Sequence, residues 1–207
     1  MSKKQSFFNL DVTLEHAVKQ FSRNVPDKMA EQADVPYDQH DSIHTVRFID
    51  SDYLVQYPSG NVTLKNGEPA STYVAIIILH YMITANGQKL TGRWIAYRHL
   101  PGGDIYIDPF NNKAVKPFLR TFGEIPDEYE KSALAMGGTR LSMSGISIMI
   151  PVLPRVPICF QLWPGDDEMP ASANILFDET ASGYLPTEDY AHLPAMVVGA
   201  MKNYMKT

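Results

Sequence analysis

Ser71-Thr72-Tyr73-Val74-Ala75-Ile76-Ile77-Ile78-Leu79-His80-Tyr81-Met82-Ile83-Thr84-Ala85-Asn86-Gly87 is the stretch that decides the fold. From Tyr73 to roughly Ala85 its apolar residues cover nearly every side of a helix, and Ser71 or Thr72 supplies the N-cap. Asn86-Gly87 ends it with a pair that tolerates positive φ. A helix apolar all round in a soluble protein is a buried one, so other elements have to cover it. The apolar run, broken by His80, falls well short of the ~20 residues of a membrane span.

On the amino-terminal side the pattern changes to period two. Val46/Phe48, Tyr53/Val55/Tyr57 and Val62/Leu64 alternate with polar neighbours, with turns at Ile49-Asp50-Ser51-Asp52 and Pro58-Ser59-Gly60-Asn61. This predicts a three-stranded antiparallel meander over about 44–64. Before it, Leu14, Ala17, Val18 and Phe21 mark one face of a helix with Thr13 as N-cap, and Pro26–Ala33 reads as a second short helix. The two helices occupy about 12–34.

On the other side lies a mixed core over about 71–207. Gly92–His99 alternates as a strand, and Pro101-Gly102-Gly103-Asp104 turns it toward a hairpin partner at Ile105-Tyr106-Ile107. Helices are expected near Lys113–Phe122 and Asp127–Met136, the second closed by Gly137-Gly138. Gly145–Val152 and Val156–Trp163 read as strands whose prolines mark edges or bulges. A helical segment near Ala173–Ser182 and a final helix capped by Thr187 complete the chain. Helices and antiparallel strands interleave without a βαβ rhythm, which predicts a single α+β domain over 1–207 with about six helices.

Composition narrows the function classes. At 207 residues, with 44% hydrophobic and 20% charged residues, the chain can bury a core without a metal or disulfide. A formal net charge of −5 argues against nucleic acid and anionic membranes as partners. The single cysteine, Cys159, excludes an internal disulfide and a self-contained four-cysteine metal or iron–sulfur site. The start, Met1-Ser2-Lys3-Lys4-Gln5-Ser6-Phe7-Phe8-Asn9-Leu10-Asp11, lacks the continuous apolar core of a signal peptide, so the cytoplasm is the expected compartment.

Seven short motifs follow one another along the chain. They are Leu79-His80-Tyr81; Gly92-Arg93-Trp94-Ile95-Ala96-Tyr97-Arg98-His99-Leu100-Pro101-Gly102-Gly103; Met136-Gly137-Gly138; Pro154-Arg155-Val156-Pro157; Trp163-Pro164-Gly165-Asp166-Asp167-Glu168-Met169-Pro170; Leu176-Phe177-Asp178; and Tyr184-Leu185-Pro186-Thr187-Glu188-Asp189. In these the chain resembles, over about residues 12–200, a family of similarly sized domains of unknown function found mainly in anaerobic bacteria and archaea. The resemblance implies an accessory protein of anaerobic one-carbon and corrinoid metabolism, working beside an iron–sulfur or methyltransferase protein. It brings no catalytic residues, and the cysteine cluster of the iron–sulfur fusions is missing from this chain.

Between Arg155 and Lys202 there is no Lys or Arg, yet Asp166, Asp167, Glu168, Asp178, Glu179, Glu188 and Asp189 all fall there. These acids have to be solvated, cap helices, pair across the fold or hold an ion such as magnesium or manganese at Asp166, Glu168 and Asp178. We expect this segment to fold back over the strand bearing Arg93 and Arg98 and to enclose a cleft walled by Trp94, Tyr97, Tyr106 and Trp163. The residues assigned to ligand binding are His80, Trp94, Arg98, His99, Trp163, Asp166 and Asp178. Trp94 and Trp163 stack on a flat ligand, Arg98 pairs its carboxylates or phosphate, and His80 or His99 ligates a metal, His80 first. The expected ligand, on the strength of the resemblance, is a corrinoid, haem or other small-molecule cofactor. Plainer readings stand beside these: a buried structural His80, tryptophans in the core, an inert Cys159. So do two other functions. One is an enzyme using Asp166 or Glu168 as general base, within Gly165–Asp189, with Arg98 as stabiliser. The other is an acidic protein-interaction module. No P-loop, GxGxxG, GxSxG, HExxH or CxxCH is present.

Overall fold

From the amino-terminal side, helices Leu10–Phe21 (α1) and Pro26–Ala33 (α2) lead into four strands, Tyr37–Asp38 (β1), Ile43–Phe48 (β2), Ser51–Gln56 (β3) and Asn61–Leu64 (β4). Helix Thr72–Thr84 (α3) follows, then the short strand Trp94–Ala96 (β5). Ile107–Phe110 (α4) and Lys116–Phe122 (α5) are two parts of one helical run joined by a π turn at Asn111–Val115. Helix Pro126–Ala135 (α6) precedes strands Thr139–Arg140 (β6), Ile146–Leu153 (β7), Val156–Trp163 (β8) and Ser172–Asp178 (β9). Helices Thr187–Tyr190 (α7) and Leu193–Tyr204 (α8) come last. These elements belong to a computed structural model that describes residues 10–205, so most of the stretch weighed against a signal peptide, Met1–Asn9, lies outside the described residues.

The helix α3 forms where its sequence places it. Ser71 Oγ accepts from the Val74 N–H at 3.4 Å and caps the first turn. Ile77, Ile78 and Leu79 are fully buried, each worth about 2 kcal/mol. Helices α1 and α2 pack against α3. Tyr81 fixes its far end: the hydroxyl donates to the Ala33 carbonyl at the end of α2 and accepts from the Arg155 N–H in the β7–β8 turn.

The strands form two antiparallel sheets. The first has the order β1-β2-β3-β4 and turns Val46, Phe48, Val55 and Val62 inward. The second runs β5-β9-β8-β7-β6, with α6 packed on β7. The two meet where the Ile49 N–H donates to the Val152 carbonyl at 2.7 Å. Among the described residues, six helices have seven residues or more, and the molecule is a single α+β domain.

Five local expectations are corrected. Thr13 lies inside α1, which starts at Leu10, and does not cap it. The meander gains a fourth, two-residue strand, β1. Ile105–Ile107 is no hairpin partner, for residues 103–106 form a 3-10 turn and β5 pairs with β9. Gly103 is the reason: a Cβ there would sit 2.1 Å from the Tyr97 carbonyl oxygen, so the backbone coils tightly on itself and leaves Ile105 80% exposed. Ala173–Ser182 is not helical; Ser172–Asp178 is β9, between β5 and β8, followed by a 3-10 turn at Ala181–Gly183. Ile175 to Asp178 are all buried, and a covered central strand loses the period-two signal. Finally, Thr187 is the first residue of α7, after Pro186, and its hydroxyl donates to the Pro101 carbonyl at 2.8 Å. The prolines of the β7–β8 hairpin face each other as Pro151 and Pro157, with a register shift beside them, so the expected irregularity is present although β8 is a central strand.

Candidate functional site

Tyr73, Ile76 and His80 are spaced i, i+3, i+7 and so share one side of α3. With Leu10 and Thr13 of α1, Lys113 of the π turn, Glu188 and Asp189 of α7 and His192 before α8, they line a mostly apolar cavity of about 280 Å³. Lys113 reaches it from an interrupted helix. Pro117 has no N–H to give the Lys113 carbonyl, and the hydrogen-bond ladder widens in the preceding turn.

The polar centre of the cavity is one pair. His80 Nδ1 lies 2.8 Å from Asp189 Oδ2, with side chains 22% and 10% exposed. In the neutral ring this bond places the proton on Nδ1 and leaves the Nε2 lone pair as an acceptor. Nε2 makes no hydrogen bond to a described residue. Beside the pair, the Tyr73 hydroxyl is buried with no partner among the described residues. Burial, reinforced by the Asp189 charge, pushes the Tyr73 pKa up and keeps the phenol protonated. The His192 ring meets the Tyr73 ring edge-on at 5.6 Å. Burial, then the Lys113 charge, outweigh Asp189 and hold His192 below its usual range, so it is neutral at pH 7.

A match to the family described as Domain of unknown function (DUF3786) spans residues 25–200. The chain belongs to that family. No curated protein and no solved structure matches it. Within this DUF3786 domain, the residues predicted from sequence fall in three places.

His80 alone lines the cavity. Trp94 stands opposite Asp178 in the β5–β9 pair, and Arg98 and His99 are exposed in the 3-10 turn after β5. Trp163 stands opposite Ser172 at the other end of β9, with Asp166 in the loop beyond. The six residue steps from Ser172 to Asp178 separate the two tryptophans by roughly 20 Å at the rise of a strand. They cannot be two walls of one cleft. The cation-poor segment does return to the strand bearing Arg93 and Arg98, but as a hydrogen-bonded neighbour, which leaves no hollow between them.

The acids divide by role. Asp166 is exposed and accepts from the Glu168 and Met169 N–H groups, which closes a local turn and lowers its pKa. Asp178 is buried and accepts from Thr91 N, Gly92 N, Thr180 N and the hydroxyls of Thr91 and Thr180. Burial pushes its pKa up, but bonds from Thr180, Gly92 and Thr91 together outweigh that and hold it below the usual range. Glu179 pairs with Arg93 at the surface. Asp189 pairs with His80. Among the described residues no group of three or more His, Cys, Asp or Glu side chains can hold a metal ion, so Asp166, Glu168 and Asp178 form no magnesium or manganese site.

A corrin or haem does not fit the cavity. Its volume lies below the ~300–1,000 Å³ of pockets for drug-sized ligands, and a tetrapyrrole macrocycle is larger still. Sequence reading missed Tyr73, Lys113, Asp189 and His192 as a set. Two local signs lie in the sequence: the spacing of Tyr73, Ile76 and His80 along α3, and the i, i+3 spacing that puts Asp189 and His192 on one face.

Proposed function

We propose that this DUF3786 protein binds a small, uncharged organic molecule in the cavity beside His80. The observation that carries the reading is the His80–Asp189 pair set into an apolar hollow, with the Tyr73 hydroxyl beside it unpaired. A buried donor without a partner costs about 1–3 kcal/mol, and a ligand oxygen would relieve that cost. Lys113 shares the lining with the two acids Glu188 and Asp189, and His192 is neutral, so the site has no net positive charge to hold an anion.

The accessory role in the cytoplasm of an anaerobe, beside an iron–sulfur or methyltransferase protein, is part of the same proposal and rests on the family resemblance. Cluster chemistry would have to come from the partner. Cys159 is buried in β8, where burial pushes its thiol up to about 12. No described helix is long and apolar enough to cross a membrane.

The test is direct. Titrating cyclohexanone should shift the ring resonances of His80 and His192 in NMR spectra and leave those of the exposed His40 and His99 in place. Leu10, 37% exposed at the rim, allows a blocking variant: Leu10→Trp should weaken binding at least tenfold without unfolding the chain. Equal affinity in both proteins, or shifts confined to the exposed histidines, refutes a ligand site in this cavity.

A further inference from the structure

Resting on that binding reading, we propose that His80 is a general base that removes a proton from the carbon beside the carbonyl of a small neutral ketone or aldehyde. Asp189 is its positioning residue, and the Tyr73 hydroxyl binds the carbonyl oxygen.

Three observations converge. The Asp189 carboxylate holds Nδ1, so the imidazole is fixed in one tautomer and one orientation, with Nε2 as its acceptor. The cavity is mostly apolar and admits a molecule of cyclohexanone size. The Tyr73 hydroxyl supplies a protonated donor with no competing partner among the described residues. A base and a donor for a developing oxyanion, set in a mostly apolar hollow, are the parts that enolisation needs.

The step balances without any co-reactant. Nε2 takes the proton; the C–H electron pair becomes the C=C bond of an enolate; the carbonyl π pair moves to the oxygen, where the Tyr73 O–H stabilises it. Return of the proton to the same carbon gives exchange, and return to a neighbouring conjugated carbon gives isomerisation. Nothing is oxidised or reduced. A ketone or aldehyde with an acidic C–H and an apolar body is the substrate class, and a charged sugar phosphate is excluded by the missing positive field.

The experiment is deuterium uptake by cyclohexanone in D₂O, followed by proton NMR, with binding measured on the same samples by saturation transfer. The wild-type protein should exchange the ring α-protons about 10²–10⁴ times faster than an equimolar amount of free imidazole. His80→Gln should fall to the imidazole-free background. Asp189→Asn should lose tenfold or more in the rate at saturation while binding cyclohexanone within about threefold of wild type, and Tyr73→Phe, which removes the hydrogen bond to the carbonyl oxygen, should lose about tenfold in affinity as well as tenfold or more in that rate. Borohydride treatment should add no mass; an adduct would place the chemistry on a lysine Schiff base at Lys113 and overturn the assignment. Binding without accelerated exchange overturns the base and leaves the ligand site standing. Absence of binding overturns both.

Discussion

Two buried carboxylates, Asp178 and Asp189, stand in the same cation-poor segment and do opposite things. Asp178 ends β9 and accepts hydrogen bonds from two loops, the one at Thr91–Gly92 and the one at Thr180. Both its oxygens are engaged by backbone and hydroxyl donors. Asp189 gives one oxygen to an imidazole whose second nitrogen faces a hollow. The first carboxylate closes a joint. The second prepares a neighbouring group for chemistry, because a histidine has two ends and the fold engages one.

The largest effect that would break this contrast is Asp178→Ala. It leaves the backbone donors of Thr91, Gly92 and Thr180 unmet and should cost about 3 kcal/mol in urea unfolding, while the folded fraction binds cyclohexanone as before. A loss of binding out of proportion to stability would mean that the β5–β9 end belongs to the site. Asp189→Asn should reverse the profile: about 1 kcal/mol in stability, with the deuterium exchange reduced at least tenfold.

A third buried group sharpens the comparison from the histidine side. His44 is buried, bonds the Pro26 carbonyl through Nε2 at 3.0 Å, stacks on Tyr37, and has an Nδ1 with no partner among the described residues. Burial lowers its pKa below the ordinary 6.5, against the bond to Pro26, so the native ring is neutral. The unfolded chain takes up the proton first. Stability from this residue is therefore full above about 6.5 and is lost as the pH falls below it. The urea midpoint should drop between pH 7 and pH 5, and His44→Phe should remove that part of the drop. Asp178 acts lower on the scale: its folded pKa is depressed, so its contribution is present above the ordinary 3.8 and lost as pH falls through the folded value. An unchanged midpoint down to pH 5 would show that His44 is not held neutral. The smallest effect belongs to the exposed Arg93–Glu179 pair: Arg93→Ala should leave the urea midpoint unmoved within error, since an exposed pair is screened by water and salt.

Much of the architecture could be read locally. Pro26–Ala33 and Ser71–Thr84 announce themselves by a proline, a serine cap and an unbroken apolar run, and Val46/Phe48 and Val55 by alternation. Ser172–Asp178 could not, because a strand covered on both faces shows a run of buried residues that a helix also shows. Ile105-Tyr106-Ile107 misled for the opposite reason. Its alternation is genuine, but the close approach of Gly103 to Tyr97 directs the chain into a turn.

The site divides in the same way. The sequence by itself determined that His80 sits in a buried helix, that Tyr73 and Ile76 share its face, and that the acids beyond Arg155 need partners from elsewhere. Only the tertiary structure decided which acid meets which partner. Asp189 reaches His80 across 109 residues, and Asp178 reaches Thr91 across 87. Periodicity and capping act over a few residues, where backbone geometry links neighbours. Which carboxylate closes a loop and which one orients an imidazole depends on how sheets and helices stack, and that is set by burying the whole core at once.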